Sequence, residues 1–82
     1  MTVVLEGDII RLRGDCPVAD AEALVARLQE APGRAVDLTG AGMLHTAVVQ
    51  VLLALQPQVV GPAGHPFVER WIAPLLPMRR SG

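Results

Sequence analysis

The chain has 82 residues, enough for one small core and little more. Seven arginines and no lysine stand against eight acidic residues for a net charge of −1, with basic residues adjacent only at Arg79 and Arg80, which argues against a nucleic-acid surface. Although 51% of the residues are hydrophobic, the apolar runs Ala47 to Val49 and Val51 to Leu55 fall far short of the roughly 18 residues of a membrane span, so membrane insertion is not expected.

The first eight residues, MTVVLEGD, lack a basic segment followed by an apolar one, and the lone Cys16 has no partner for an internal disulfide. A cytoplasmic location is therefore expected. Val3 to Leu5 and Ile9 to Arg13 flank Glu6-Gly7-Asp8, whose glycine can take positive φ, and the two runs predict a β-hairpin. Ile10 and Leu12 alternate with Arg11 and Arg13, one pair facing a core and the other solvent. From Asp20 onward, Ala21, Leu24, Val25 and Leu28 recur at helical spacing until Pro32-Gly33, with Glu22 in the first turn. Ala35 to Leu38 predicts a short strand. A helix follows from about Thr46 to Gln56, ended by Pro57. Val59-Val60 is a further short strand, and Val68, Trp71, Ile72 and Leu75 at i, i+3, i+4 and i+7 predict a third helix with those residues in the core, Pro66 near its start and Pro74 near its end.

Strands alternating with helices favour parallel pairing through right-handed crossovers. The expected architecture is an α/β fold: a small mixed, mostly parallel β-sheet with helices packed on it and an N-terminal hairpin. One domain is expected over residues 1 to 78, with a short tail at 79 to 82. In such sheets binding groups gather beyond the carboxyl ends of the strands, where Gly14 to Pro17 and Thr39 to Thr46 would both lie.

The segment GMLHTAVVQVLLALQP raises the functional question, because it sets an imidazole and a hydroxyl where an aliphatic helix begins. Thr46 reads either as an N-cap, its hydroxyl accepting from a first-turn N–H, or as a site of modification or contact. The helix it opens carries Val48, Val49, Val51, Leu52, Leu53 and Leu55, more than one narrow stripe can hold. Some of these side chains are either covered by a neighbouring element or available to a partner.

The stretch AVDLTGAGMLHTAVVQVLLAL resembles the signature of STAS domains, the fold of bacterial anti-sigma factor antagonists. Their pattern is a strand ending in Asp-Leu-Ser or similar, a loop, an acidic residue, a Ser or Thr, a small residue and an aliphatic helix. On that register Asp37-Leu38-Thr39 closes the strand, His45 stands at the acidic position, and Thr46 stands at the hydroxyl that a partner kinase phosphorylates. IRLRGD, Ile10 to Asp15, is similar to the family's second strand and turn. The resemblance implies a non-enzymatic regulator of transcription that captures an anti-sigma factor, a kinase-like protein, and releases it on phosphorylation of Thr46. The partner-binding residues it implies are Thr46, His45, Asp15, Val49, Gln50 and Leu53. Three positions depart from the pattern: Pro17 stands where the antagonists usually carry an aspartate, leaving Asp15 nearby, His45 replaces the acid, and Val48 replaces a small glycine. Thr46 followed by Ala47 is also similar to the accessory STAS proteins that dock on the ATPase of lipid-transporting ABC systems. Constitutive docking of that kind, or a homodimer built on the same helix, is the alternative.

Other polar residues point to little chemistry. His45 and His65 lie in different loops and Cys16 is alone, so no metal or other cofactor is expected. Cys16, His45 and Asp15 lack an oxyanion-hole motif and a nucleophile turn; a small buried thiol beside loop polars is the simpler reading, and no catalysis is expected. GPAGHP, residues 61 to 66, lacks the Lys and Ser/Thr of a phosphate-cradling loop and reads as a turn before the last helix.

Overall fold

The structure, a computed structural model, describes residues 2–78, so the tail expected at 79 to 82 lies outside the described residues. In chain order the elements are β1 (Val3–Glu6), β2 (Ile9–Leu12), β3 (Gly14–Cys16), α1 (Ala19–Glu30), β4 (Ala35–Asp37), β5 (Ala41–Leu44), α2 (Thr46–Leu55) and β6 (Val59–Val60). A third, irregular helical segment runs through a π-helical turn at Val68–Ile72 and a 3₁₀ turn at Ala73–Leu75. β1 and β2 run antiparallel, joined through Gly7 at a φ of 59°. β2 pairs in parallel with β4, and β4 with β6, which makes a mixed sheet in the order β1-β2-β4-β6. The two parallel connections step across the sheet in the same direction, so right-handed crossovers put α1 and α2 on one face, where they touch.

Strand alternation decides what that face buries. Val3, Ile10, Leu12, Val36, Leu38 and Val59 point toward the helices and meet Leu24 and Leu28 of α1 and Val48 and Leu52 of α2. Ile10, Leu12, Leu24, Leu38 and Leu52 are fully buried, each contributing about 1.5–3 kcal/mol relative to exposure. The opposite face carries the polar ladder. Arg11 stands beside Asp37 in register, and its Nη1 donates to Asp37 Oδ2 at 2.7 Å while its Nε donates to Glu6. Asp37 is only 5% exposed. Its other oxygen accepts from the Thr39 N–H at 2.8 Å and the Thr39 hydroxyl at 2.6 Å, so the buried carboxylate is well supplied with donors.

Gly14 to Pro17 and the loop after β4 do not form two separate loops. Gly14 turns at a φ of 70°, and β3 then pairs in parallel with β5. This second ladder continues the β2–β4 pairing past a break. The register slips by one residue between Arg11↔Asp37 and Gly14↔Ala41 and by one more at a bulge before Cys16↔Leu44. The GPAGHP loop folds over the same break. Gly64 donates its N–H to the Leu38 carbonyl, and a Cβ there would lie 2.5 Å from the Thr39 carbonyl oxygen, so close backbone approach explains the glycine.

The third helical segment corrects the expected core row. Pro74 has no N–H, and its ring would clash with the carbonyl four residues earlier in an α-helix. The backbone instead widens, with Ala73 N–H bonded to Val68 O, and then tightens, with Leu76 N–H bonded to Ala73 O. That change of period turns Val68, Ala73 and Leu76 inward. Of the expected row only Val68 is buried and Ile72 is partly so, while Trp71 and Leu75 are 57% and 58% exposed.

Candidate functional site

Parallel pairing of β3 with β5 brings the starts of α1 and α2 to one edge of the molecule. His45 N–H donates to the Cys16 carbonyl at 2.9 Å, so the ladder extends to His45 and holds it in an extended conformation, φ −60° and ψ 147°. α2 therefore begins one residue later. His45, not Thr46, is its N-cap: the imidazole Nδ1 accepts from Ala47 N–H at 3.0 Å, and the His45 carbonyl accepts from Val48 and Val49. His65 repeats the device before the third helical segment, its Nδ1 accepting from Phe67 N–H at 3.2 Å. Both caps need an imidazole with a free Nδ1 lone pair. The capping role expected of Thr46 is thus corrected. Thr46 occupies the first helical position, is exposed, and its hydroxyl has no hydrogen-bond partner among the described residues.

Thr46, Val49, Gln50 and Leu53 fall at i, i+3, i+4 and i+7 and share one face of α2. That face points away from the buried Val48 and Leu52; Thr46, Gln50 and Leu53 are exposed and Val49 is half-buried. Leu55 is exposed, while Val51 lies in an apolar groove of about 370 Å³ between α1 and α2, beside Val25 and Ala26. The six aliphatic residues of α2 therefore divide into two that are buried, two that are partly buried and two that are exposed. Asp15 reaches the same edge, but its Oδ1 accepts from Met43 N–H at 2.8 Å and so braces β5.

Cys16, His45 and Asp15 each have a backbone hydrogen-bond partner. The Cys16 thiol, 2% exposed, lies 3.5 Å from the Gly14 carbonyl. Burial, then the charges of Asp20 and Asp15, push its pKa up from 9.0 to about 11, the opposite of an activated nucleophile. Among the described residues no three of His, Cys, Asp and Glu converge in a group able to hold a metal ion, and no helix is long and apolar enough to cross a membrane. A cavity of about 430 Å³ opens at the far end of the sheet, between the carboxyl ends of both helices. Arg34 lines it, its Nη1 held by the Arg27 carbonyl and Glu30 as a close to α1. The cavity does not reach the Thr46 edge.

From Leu38 to Val68 there is no Asp, Glu, Lys or Arg, so β5, α2 and β6 carry no formally charged side chain. Comparison of the chain with protein-family models, curated proteins and solved structures finds no match.

Proposed function

We propose that this chain is a non-enzymatic protein-binding domain of STAS type, which docks through the amino end and outer face of α2 and is switched by phosphorylation of Thr46. The observation that carries the reading is the unpartnered Thr46 hydroxyl at the first position of α2, beside the outward row Val49, Gln50 and Leu53. Because His45 has taken the cap, modification of Thr46 leaves the helix start intact. A phosphate there adds about −1.5 to −2 charges at the positive end of the helix dipole, where it is tolerated, while its bulk and charge oppose an apolar partner on the adjacent face. The partner in this reading is an anti-sigma factor with kinase activity, met in the cytoplasm.

A second reading, constitutive docking on an ABC-transporter ATPase or on another copy of the chain, draws on Asp15. Its Oδ1 is held by Met43 N–H, which fixes the carboxylate against β5, and Pro17 stands where the antagonists carry their acid, so the acid of the kinase-recognition pattern is missing at that position. The two readings separate in one experiment. A kinase-like protein or transporter ATPase encoded beside this gene is titrated by calorimetry into wild type, Thr46→Ser and Thr46→Glu. Switching requires wild-type-like affinity for the serine variant, loss of at least about tenfold for a folded glutamate variant, and phosphothreonine after incubation with kinase and ATP. Equal affinity of all three folded proteins overturns any role for Thr46 at the interface.

A further inference from the structure

The chain has two histidines, and both do the same thing. His45 Nδ1 accepts from Ala47 N–H at 3.0 Å at the start of α2, and His65 Nδ1 accepts from Phe67 N–H at 3.2 Å before the third helical segment. Each ring thus holds the N–H two residues further along the chain. An amide N–H can only donate, so the nitrogen facing it must be unprotonated, and the ring's own proton must sit on Nε2. From Leu38 to Val68 these two imidazoles are also the only ionisable side chains. In a stretch where nothing else titrates, the helix starts are tied by groups that do.

We propose that His45 and His65 form an acid-sensitive pair of caps, in which a proton taken up at Nδ1 of either ring opens the helix start that the ring holds. The proton occupies the lone pair that accepts the backbone bond, so a capping ring and a protonated ring exclude each other. At α2 the resulting cation also stands at the positive end of the helix dipole. No counter-ion offsets it. On the elements around His45, Asp15 Oδ1 is held by Met43 N–H, Asp20 Oδ2 accepts from the Thr2 hydroxyl, and the Cys16 thiol is buried. Around His65, Asp37 is paired with Arg11, Glu69 Oε1 accepts from Ala63 N–H, and Arg70 lies over the Trp71 ring. Among the described residues no carboxylate bonds to either imidazole. The sign of the effect follows from the bond. Each cap stabilises the fold only while its ring is neutral, whereas the unfolded ring takes up its proton freely. The contribution is therefore present near pH 7 and is lost as pH falls through the range in which imidazoles titrate. His45 adjoins Thr46, so acid loosens the edge assigned above to docking, but the device lies in the helix starts and does not depend on that assignment.

Two measurements on the full chain test it. Imidazole nitrogen spectra of the wild type should show a proton on Nε2 and none on Nδ1 for both rings at pH 7.5. As pH is lowered to 5, the Ala47 and Phe67 amide resonances should move together with proton uptake by the rings. Urea unfolding is then followed by circular dichroism between pH 7 and pH 5, on wild type and on the double variant His45→Asn with His65→Asn. Asparagine is among the strongest N-caps, and its side-chain carbonyl accepts at any of these pH values. A cap bond is worth about fivefold in the folding equilibrium, so over this range the folded-to-unfolded ratio of wild type should fall roughly 25-fold relative to the double variant. Parallel pH profiles overturn the inference, because the double variant retains every other titrating group. A proton on Nδ1 at pH 7.5, or Ala47 and Phe67 amides that do not follow the rings, overturns it without any variant.

Discussion

Replacing His45 by alanine removes one hydrogen bond from the start of α2 and leaves Ala47 N–H to water. The bond is 3.0 Å long and exposed, so its loss should cost what an ordinary N-cap costs, about 1 kcal/mol. A small domain has a urea m-value near 1 kcal/mol/M, so the midpoint of unfolding should fall by about 1 M. Thr46→Ala should behave differently. The Thr46 hydroxyl has no hydrogen-bond partner among the described residues, and alanine is the better helix former, so the change should stay within about 0.5 kcal/mol. His45→Asn supplies a neutral side-chain acceptor in the same extended backbone and should restore the midpoint. Urea unfolding followed by circular dichroism at 222 nm measures all three. If Thr46→Ala shifts the midpoint as far as His45→Ala, or His45→Ala has no effect, the assignment of the cap to His45 is wrong.

Other substitutions test the remaining supports of the site. For Cys16, whose thiol is pushed from 9.0 up to about 11, the folded chain holds its proton over a range where the unfolded chain loses it. Stability should therefore fall from about pH 9 to pH 11 by roughly 2–3 kcal/mol. With no lysine or tyrosine in the chain, Cys16→Ala should flatten the stability profile over that range, and a slope that persists would refute the cause. Gly64→Ala drives a Cβ into the Thr39 and Ala41 carbonyls and should lower stability by about 1–3 kcal/mol; Gly33→Ala, with nothing within 4 Å, should be nearly neutral or slightly stabilising. Asp37→Ala strips Arg11 Nη1 and both Thr39 donors of their acceptor and should cost about 2–4 kcal/mol by thermal or urea unfolding, and a loss under about 1 kcal/mol would deny it a structural role.

Where side-chain periodicity alone determined the local structure, the sequence was legible. Ala21, Leu24 and Leu28 are buried on α1 as their spacing predicts, and Ile10 and Leu12 face the core while Arg11 faces the ladder. The β3–β5 ladder was not legible, because Gly-Asp-Cys and Ala-Gly-Met-Leu have little strand propensity. They are paired because they prolong two strands already in register. That tertiary extension also moved the cap: the His45 N–H bond to Cys16 fixes His45 as the last extended residue, whereas residue statistics point to the threonine. The third helix was misread for a different reason. The row Val68, Trp71, Ile72 and Leu75 assumes a constant helical period, and Pro74 breaks that assumption from within. The proline was visible in the sequence; the direction in which the chain would relax was not.

The distribution of charge links the structure to its proposed use. The ion pairs seen here, Glu6 and Asp37 with Arg11, Glu6 with Arg13, and Glu30 with Arg27 and Arg34, all lie before Leu38. They belong to the open face of the sheet and the end of α1. The following stretch to Val68 has no Asp, Glu, Lys or Arg. A partner docking on the outer face of α2 therefore gains affinity from apolar burial and hydrogen bonding rather than steering, and its binding should depend little on salt. In that setting a phosphate on Thr46 would be the first strong charge on α2 itself, which has no arginine or lysine to neutralise it. Desolvating it against an apolar partner costs far more than displacing one charge among many. In the proposed switch, a single exposed hydroxyl would control the outer face of α2 because the helix carries no formal charge of its own.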